Sequence, residues 1–301
     1  MSQPTSSEKS GLVRQIGHYA SNAVIVGLIQ LALLLPYAVR VRMMGAVVEY
    51  GIGPLAGYRR RALDNLAFIW PDMPAGERAE IAARCLNNVG RTFIENYSAN
   101  DFPQRMATNQ ITGNGVAALD AAIEQGKPVI LVTGHYGNYE AVRAALVARG
   151  MNIGGLYRDM KNPYFNAHYV KTMEAFGGPV FAQGRRGTTG FVRHLKTGGQ
   201  LVLLFDQHVF EAPAFDFLGQ PANTATSAAE LALRYDAALI PFYGIRRADG
   251  LTFDTIIEAP IPPSDPITMT QAITDSLAAR VQTDPTQWFW VHRRWRPQEN
   301  T

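Results

Sequence analysis

His135 and Glu140 are the two side chains in this 301-residue sequence whose types and spacing point most directly to chemistry. They stand in Thr133-Gly134-His135-Tyr136-Gly137-Asn138-Tyr139-Glu140. The apolar run Pro128-Val129-Ile130-Leu131-Val132 before them reads as a buried strand, and the run from Ala141 to Ala148 reads as a helix. His135 then falls at a strand-to-helix corner, at the carboxyl end of the strand, where open α/β sheets place their ligands. Residues five apart do not share a face of one helix. With His135 in the loop and Glu140 in the first helical turn, the two can meet, and the helix dipole favours a carboxylate there. A Glu that accepts the imidazole N–H fixes the tautomer and supports a positive ring. The other nitrogen is then free to take a proton from a hydroxyl. An ordinary hydrogen-bonded pair is the other reading of the same spacing.

Two further clusters end on strands. Asn152-Ile153-Gly154-Gly155-Leu156-Tyr157 reads as a strand that delivers Arg158, a candidate clamp for phosphate or developing negative charge. Gln200-Leu201-Val202-Leu203-Leu204-Phe205 reads as a strand that delivers Asp206, Gln207 and His208. Gly184-Arg185-Arg186-Gly187 resembles an anion-binding helix start ahead of a helix over 188–197, without the ending of a P-loop.

The elements that must hold these groups alternate between helix and strand. Helical pattern runs over 62–98, broken at Trp70-Pro71-Asp72-Met73-Pro74, and Phe102-Pro103 breaks it again. Short helices are expected over 115–125 and from Asn162-Pro163 to Phe176, and another over 268–283. Leu239–Tyr243 and Leu251–Ile257 read as paired strands around an Ala248-Asp249-Gly250 turn. This is an α/β pattern with a single mixed, largely parallel sheet flanked by helices.

Ahead of it, Ala23 to Val39 carries no charge and one strongly polar residue, Gln30. Its 17 residues reach roughly 25 Å as a helix, just short of a bilayer core. Arg40, Arg42 and Arg59-Arg60-Arg61 follow, which favours membrane contact with the C-terminal body on the cytoplasmic side. The organisation expected is a loose N-terminus over 1–21, a membrane-associated helical segment over 22–57 and an α/β domain over 58–301. The tail Trp288-Phe289-Trp290-Val291-His292-Arg293-Arg294-Trp295-Arg296 interleaves aromatic and basic residues, and reads as a Trp-anchored element beside lipid phosphates. A net charge of +3 without a dense basic stripe argues against nucleic acid. The single cysteine, Cys85, excludes an internal disulfide and a cysteine zinc site, and reads as packing within a helix.

Taken in order, these segments resemble the bacterial late acyltransferases of lipid A biosynthesis, the lauroyl/myristoyl family, within the lysophospholipid and glycerolphosphate acyltransferase-like superfamily. The resemblance rests on the N-terminal apolar helix, Arg61-Ala62-Leu63-Asp64-Asn65-Leu66 with Trp70-Pro71, Gly134 to Glu140, Tyr157-Arg158, Phe205-Asp206-Gln207, Phe217-Leu218-Gly219-Gln220-Pro221-Ala222 and Gln287 to Trp295. Tyr136 and Tyr139 stand where the family tends to have Phe and Trp, and Trp70 where Phe is usual; all three keep aromatic character.

The resemblance implies an O-acyltransferase of the inner membrane, with its catalytic domain on the cytoplasmic side. It would move a fatty acyl chain from an acyl carrier protein thioester to a hydroxyl of a lipid A precursor or similar glycolipid. His135 would be the general base and Glu140 its orienting partner. Arg158 and Asp206 would be substrate-site or supporting residues, and Gly137, Asn138 and Gln207 would belong to the substrate site. No covalent intermediate, metal or organic cofactor is expected, and exposed arginines suit an acidic carrier protein. The same chemistry on a lysophospholipid, an amino-acid lipid or a phosphatidylinositol mannoside is the nearest alternative. A metal-dependent hydrolase using His135, Glu140, Asp206 and His208, or a non-catalytic lipid-binding protein, would be a different class.

Overall fold

The computed structural model describes residues 6–295, with side chains described from residue 15 onward. The chain begins with α1 (Ser6–Leu33) and α2 (Tyr37–Ala46), then a π-helical turn at Val47–Ile52 that runs into α3 (Gly53–Leu55). Next come α4 (Tyr58–Ile69), α5 (Ala75–Tyr97), α6 (Phe102–Ala107), β1 (Ile111–Thr112), α7 (Val116–Glu124), β2 (Val129–Thr133) and α8 (Tyr139–Ala148). They are followed by β3 (Ile153–Tyr157), α9 (Pro163–Ala175), β4 (Val180–Ala182), α10 (Arg185–Lys196), β5 (Gln200–Leu204), β6 (Ala214–Phe217) and β7 (Gln220–Asn223). The chain closes with α11 (Ser227–Arg234), β8 (Ala238–Arg246), β9 (Phe253–Ile257), α12 (Pro266–Thr283) and a 3₁₀ turn at Pro285–Gln287.

The expected mixed sheet is present. Seven strands lie in the order β1-β9-β8-β2-β5-β3-β4, all neighbours parallel except β8 and β9. β2 is at its centre and fully buried along its length, which is why its sequence is an unbroken apolar run rather than an alternating one. Two apolar layers cover the two faces. One gathers Leu66, Ile81, Leu86's neighbour Cys85, Leu195, Leu277 and the tail tryptophans; the other gathers Phe102, Leu146, Phe176, Phe242 and Phe253.

Several boundaries differ from the sequence reading. α1 already starts at Ser6, so most of the segment expected to be loose is helical; residues 1–5 lie outside the described residues. Polar composition does not stop a helix that contains no proline. Phe102-Pro103 begins a short helix rather than merely ending one, because proline is tolerated in a first turn. Arg185 and Arg186 sit inside the first turn of α10, exposed, with Gly184 as its cap. The hairpin β6–β7 was not expected, although Phe215 and Phe217 bury on alternate positions with exposed residues between them.

The tail is the largest correction. Trp288 and Trp290 are fully buried and pack edge-to-face at 4.8 Å, so they belong to the core and not to a membrane interface. Arg294 is buried as well, donating to the carbonyls of Gln207 and Asn223, and so faces no lipid phosphate. Arg296 lies outside the described residues. Arg40 is similarly buried; it donates to Ser98 Oγ and to the carbonyl of Leu35 between α1 and α2, and pairs with Asp101.

The described part of α1 is long and apolar enough to cross a membrane over Gln15–Leu33. Val24, Leu28, Leu31 and Leu34 point outward from it, and the exposed apolar surface continues through Val39, Met43, Tyr50 and Leu55. Its other side rests on the body. Ile29 and Ala32 are buried, Asn162 donates to the His18 carbonyl at 2.8 Å, and Tyr19 meets Tyr164 edge-to-face.

Candidate active site

The site is built at the carboxyl ends of β2 and β5. These strands are parallel neighbours in the register Thr133 to Leu204, so the residues that follow each leave the sheet side by side. Phe205 N–H donates to the Thr133 carbonyl, and one residue further Asp206 comes up against His135. Gly134 leaves room for this approach. A Cβ there would lie 2.6 Å from Leu277 and 3.0 Å from Asp206 Oδ2. Gly137 is needed on two counts: its φ is +58°, and a Cβ would lie 2.0 Å from the Gly244 carbonyl oxygen.

Asp206 is fully buried and accepts three times. Oδ1 lies 2.7 Å from His135 Nδ1, and Oδ2 accepts from the His135 backbone N–H at 2.7 Å and from Trp288 Nε1 at 3.0 Å. Burial alone would raise this carboxyl. The adjacent His135, through its charge and hydrogen bonds, outweighs burial and holds Asp206 well below the usual carboxylate range. With Nδ1 committed to this carboxylate, His135 has its Nε2 left for a reacting proton. The ring is part-exposed. His292 stands perpendicular to it with centroids 4.7 Å apart, and burial, then the charge of His135, push His292 down to about 4.

Glu140 is not the residue that holds the ring. It sits in the first turn of α8 as expected, but its Oε2 pairs with Arg143 at 2.9 Å, one turn along the same helix. Arg143 is buried and also donates to the Gly177 carbonyl, so the pair is tied to its own helix and not to the His135 ring. Asn138 is likewise no surface for a substrate. It is fully buried, caps α8 by accepting from Glu140 N–H at 3.0 Å, and donates to Glu95 Oε2 at 2.9 Å. Glu95 in turn is gripped by both terminal nitrogens of Arg246, at 2.6 and 2.7 Å, and receives Tyr37 Oη at 3.4 Å. This buried ion pair supports the corner that carries His135 through Asn138.

Two cavities meet at His135. One, about 370 Å³, is mostly apolar and lies against α5, with Val89, Phe93, Phe165 and Phe289 on its walls. The other, about 560 Å³, is more polar, and Glu140, Arg143, Arg158, Gln183, Gln207 and His208 line it. His135, Tyr139, Met160 and Tyr169 border both. Of the residues expected at the substrate site, Arg158 and Gln207 line the polar cavity, Gly137 lines the apolar one, Asp206 lies behind His135, and Asn138 is withdrawn into the core. Cys85 packs as expected; burial pushes its thiol up to about 12, so it is no nucleophile.

The ligand set weighed for a metal hydrolase does not assemble, because Glu140 is drawn to Arg143. Donor atoms of His135, Asp206 and His292 do come within 4.8 Å of one another. Both Asp206 oxygens already accept hydrogen bonds, one of them from His135 itself. The cluster is a hydrogen-bonded His135–Asp206 pair with the His292 ring set across it.

Trp288, Arg143 and His292 were not singled out as site residues from the sequence. The spacing of Glu140 and Arg143 was a usable signal, since residues three apart on a helix are neighbours. Nothing local joins Trp288 to Asp206, which is 82 residues away.

A base held by a buried carboxylate, opening onto one greasy and one polar chamber, is suited to an enzyme that joins an apolar donor to a polar acceptor. The chain belongs to the bacterial lipid A biosynthesis acyltransferase family, which it matches over residues 8–297. It is an O-acyltransferase. It is 25% identical over 283 residues to the lipid A biosynthesis lauroyltransferase of Escherichia coli (strain K12), covering 90% of each chain. It is 23% identical to a phosphatidylinositol mannoside acyltransferase of Mycobacterium tuberculosis (strain H37Rv), covering 77% of this chain and 75% of that one. It is also 23% identical to a lipid A biosynthesis acyltransferase of Haemophilus influenzae (strain Rd), over 85% and 81% of the two.

Proposed function

We propose that the protein transfers a fatty acyl chain from an acyl carrier protein thioester to a hydroxyl of a lipid A precursor, at the cytoplasmic face of the inner membrane. The observation that carries this reading is the position of His135 on the border between the apolar and the polar cavity. The acyl chain lies in the first, with its thioester carbonyl beside His135. The acceptor's headgroup lies in the second, where the exposed Arg158 suits phosphate.

His135 Nε2 takes the proton of the acceptor hydroxyl as its oxygen attacks the thioester carbonyl. Asp206 stabilises the imidazolium that forms and keeps the ring in the required tautomer. The C–S bond then breaks, and the thiolate of the carrier leaves with the proton from His135. The thioester is already activated, so no acyl-enzyme is needed. Glu140 acts at one remove, holding Arg143 in the acceptor chamber. The exposed Arg59 and Arg60 of α4 offer an acidic carrier protein a complementary surface.

The outward apolar faces of α1 to α3 support attachment to the bilayer. A phosphatidylinositol mannoside is the second acceptor reading, supported by the relatives that carry that name. Lipid mass spectrometry of a deletion strain tests both. Loss of one acyl chain from lipid A supports the first, loss from a mannoside supports the second, and an unchanged lipid profile rejects both.

A further inference from the structure

Three loops leave the sheet at the end that carries His135, after the neighbouring parallel strands β5, β3 and β4. The loop after β5 turns two large apolar side chains outward, Val209 at 40% and Phe210 at 74% exposure. This turn is braced. Val209 N–H donates to the Asn223 carbonyl at 3.4 Å, and Asn223 Nδ2 donates to the Ala212 carbonyl at 2.9 Å, which ties both ends of it to β7. Val209 and Phe210 border the polar cavity, as does Arg158 after β3. A lone exposed phenylalanine is ordinary. This one belongs to a set.

The loops after β3 and β4 supply charge to the same rim. Arg158, Lys161, Arg185 and Arg186 are all exposed, and among the described residues none is ion-paired with a carboxylate. Against these four cations, residues 157–164, 183–187 and 207–213 carry two carboxylates, Asp159 and Glu211. The rim is also continuous with α1. Next to Lys161, Asn162 donates to the His18 carbonyl, and Tyr164 meets Tyr19 edge-to-face at 5.5 Å. Ile16, Tyr19 and Tyr164 are exposed there. Apolar tips among cations, joined to an apolar helix, are what an anionic bilayer surface takes up. An acidic protein partner would account for the cations but not for Phe210 or for the continuity with α1.

We infer that this rim is a second membrane contact, separate from the outward faces of α1 to α3. Val209 and Phe210 enter the interfacial layer, Arg158, Lys161, Arg185 and Arg186 meet the phosphates of anionic lipids, and the polar cavity opens directly onto the bilayer surface. This seating does not depend on which reaction the site performs.

The test uses the full-length protein on vesicles of phosphatidylethanolamine and phosphatidylglycerol. Cys85 is buried with its thiol pushed up to about 12, so a spin label attaches at an introduced cysteine. On binding, a label at Phe210→Cys should become shielded from a water-soluble nickel complex and open to oxygen. A label at Gln125→Cys, exposed at the other end of the sheet between α7 and β2, should not change. Removing three charges together, with Lys161→Ala, Arg185→Ala and Arg186→Ala, should weaken partitioning onto these vesicles by up to about a hundred-fold, and leave partitioning onto phosphatidylcholine vesicles nearly as it was. Phe210→Ser should weaken both by about ten-fold. A label at position 210 that stays as open to water as one at 125 on vesicle-bound protein would overturn the proposal. So would unchanged partitioning of the triple variant. Protection of position 210 by acyl carrier protein in solution, with none from vesicles, would overturn it and give the rim to the carrier.

Discussion

Replacing Asp206 by Asn keeps the shape of the side chain and removes its charge, and the geometry dictates which way the amide must sit. Oδ2 accepts from two N–H groups, the His135 backbone and Trp288 Nε1. The single carbonyl oxygen of Asn must therefore occupy that position. Its NH₂ group then faces His135 Nδ1, where the carboxylate oxygen stood at 2.7 Å. Two donors cannot share that bond, so Nδ1 becomes the acceptor and the ring proton moves to Nε2. The nitrogen that should take the hydroxyl proton is then already protonated. The same error in a Ser-His-Asp triad costs about 10⁴-fold in turnover, equivalent to roughly 5 kcal/mol of barrier. For Asp206→Asn we expect a fall in kcat of about 10³ to 10⁴-fold with KM nearly unchanged, since neither cavity is touched. Steady-state transfer from an acyl carrier protein thioester, with circular dichroism to confirm the fold, is the assay. A folded variant within ten-fold of wild-type kcat, or one altered only in KM, would refute the argument.

Glu140→Ala and Arg143→Ala should each lower activity, and the double variant should be little worse than either single one, because they act as one pair; additive losses would show separate roles. Glu95→Gln should destabilise the protein by about 3 kcal/mol or more in urea unfolding, because it leaves buried Arg246 without its counter-charge; a change below about 0.5 kcal/mol would remove the proposed support. His292, pushed down to about 4, makes folding pH-dependent. Between about 6.5 and 4 the unfolded chain binds the extra proton, so stability falls on acidification by up to about 3 kcal/mol. His292→Phe should flatten that slope in thermal melts from pH 7 to 5, and an unchanged slope would assign it to other groups. α1 touches the body from His18 to Ala32, about 21 Å along its axis, so it should lie along the bilayer surface with the body. A thiol placed by Leu31→Cys should then be shielded by lipid, and one at Ser21→Cys labelled from the same side as the body; labelling of Ser21→Cys only from the opposite side would show a crossing helix.

The parts of the fold that could be read in the sequence were those with strong local patterns. β2, β3 and β5 are largely apolar runs ended by polar residues, and β8 and β9 flank a turn, so their positions were legible. β1, β4 and the β6–β7 hairpin are two to four residues long, too short for a periodic signal. At the site, His135 was legible because it follows the central strand. Asp206 was legible as a carboxylate at a strand end, but its pairing with the His135 ring was not. Asp206 is 71 residues away and reaches the ring only because β5 pairs with β2, a fact of topology that no spacing encodes. Glu140 drew attention by being near in sequence, while Arg143, one turn further on, was nearer in space. The aromatic and basic tail misled for a related reason. Tryptophan beside arginine suits a membrane edge or a core equally well by composition, and the burial of Trp288 and Trp290 with the carbonyl partners of Arg294 distinguishes the two.

The central claim is that His135 alone takes the hydroxyl proton and that the acyl group passes directly between substrates. A single-turnover reaction with labelled acyl carrier protein thioester and a lipid acceptor tests this, run on wild-type protein and His135→Ala. In wild type, label should move straight to the lipid with none held on the protein, and the folded variant should be at least about 10³-fold slower. Label bound covalently to the protein, or a His135→Ala rate within ten-fold of wild type, would contradict it.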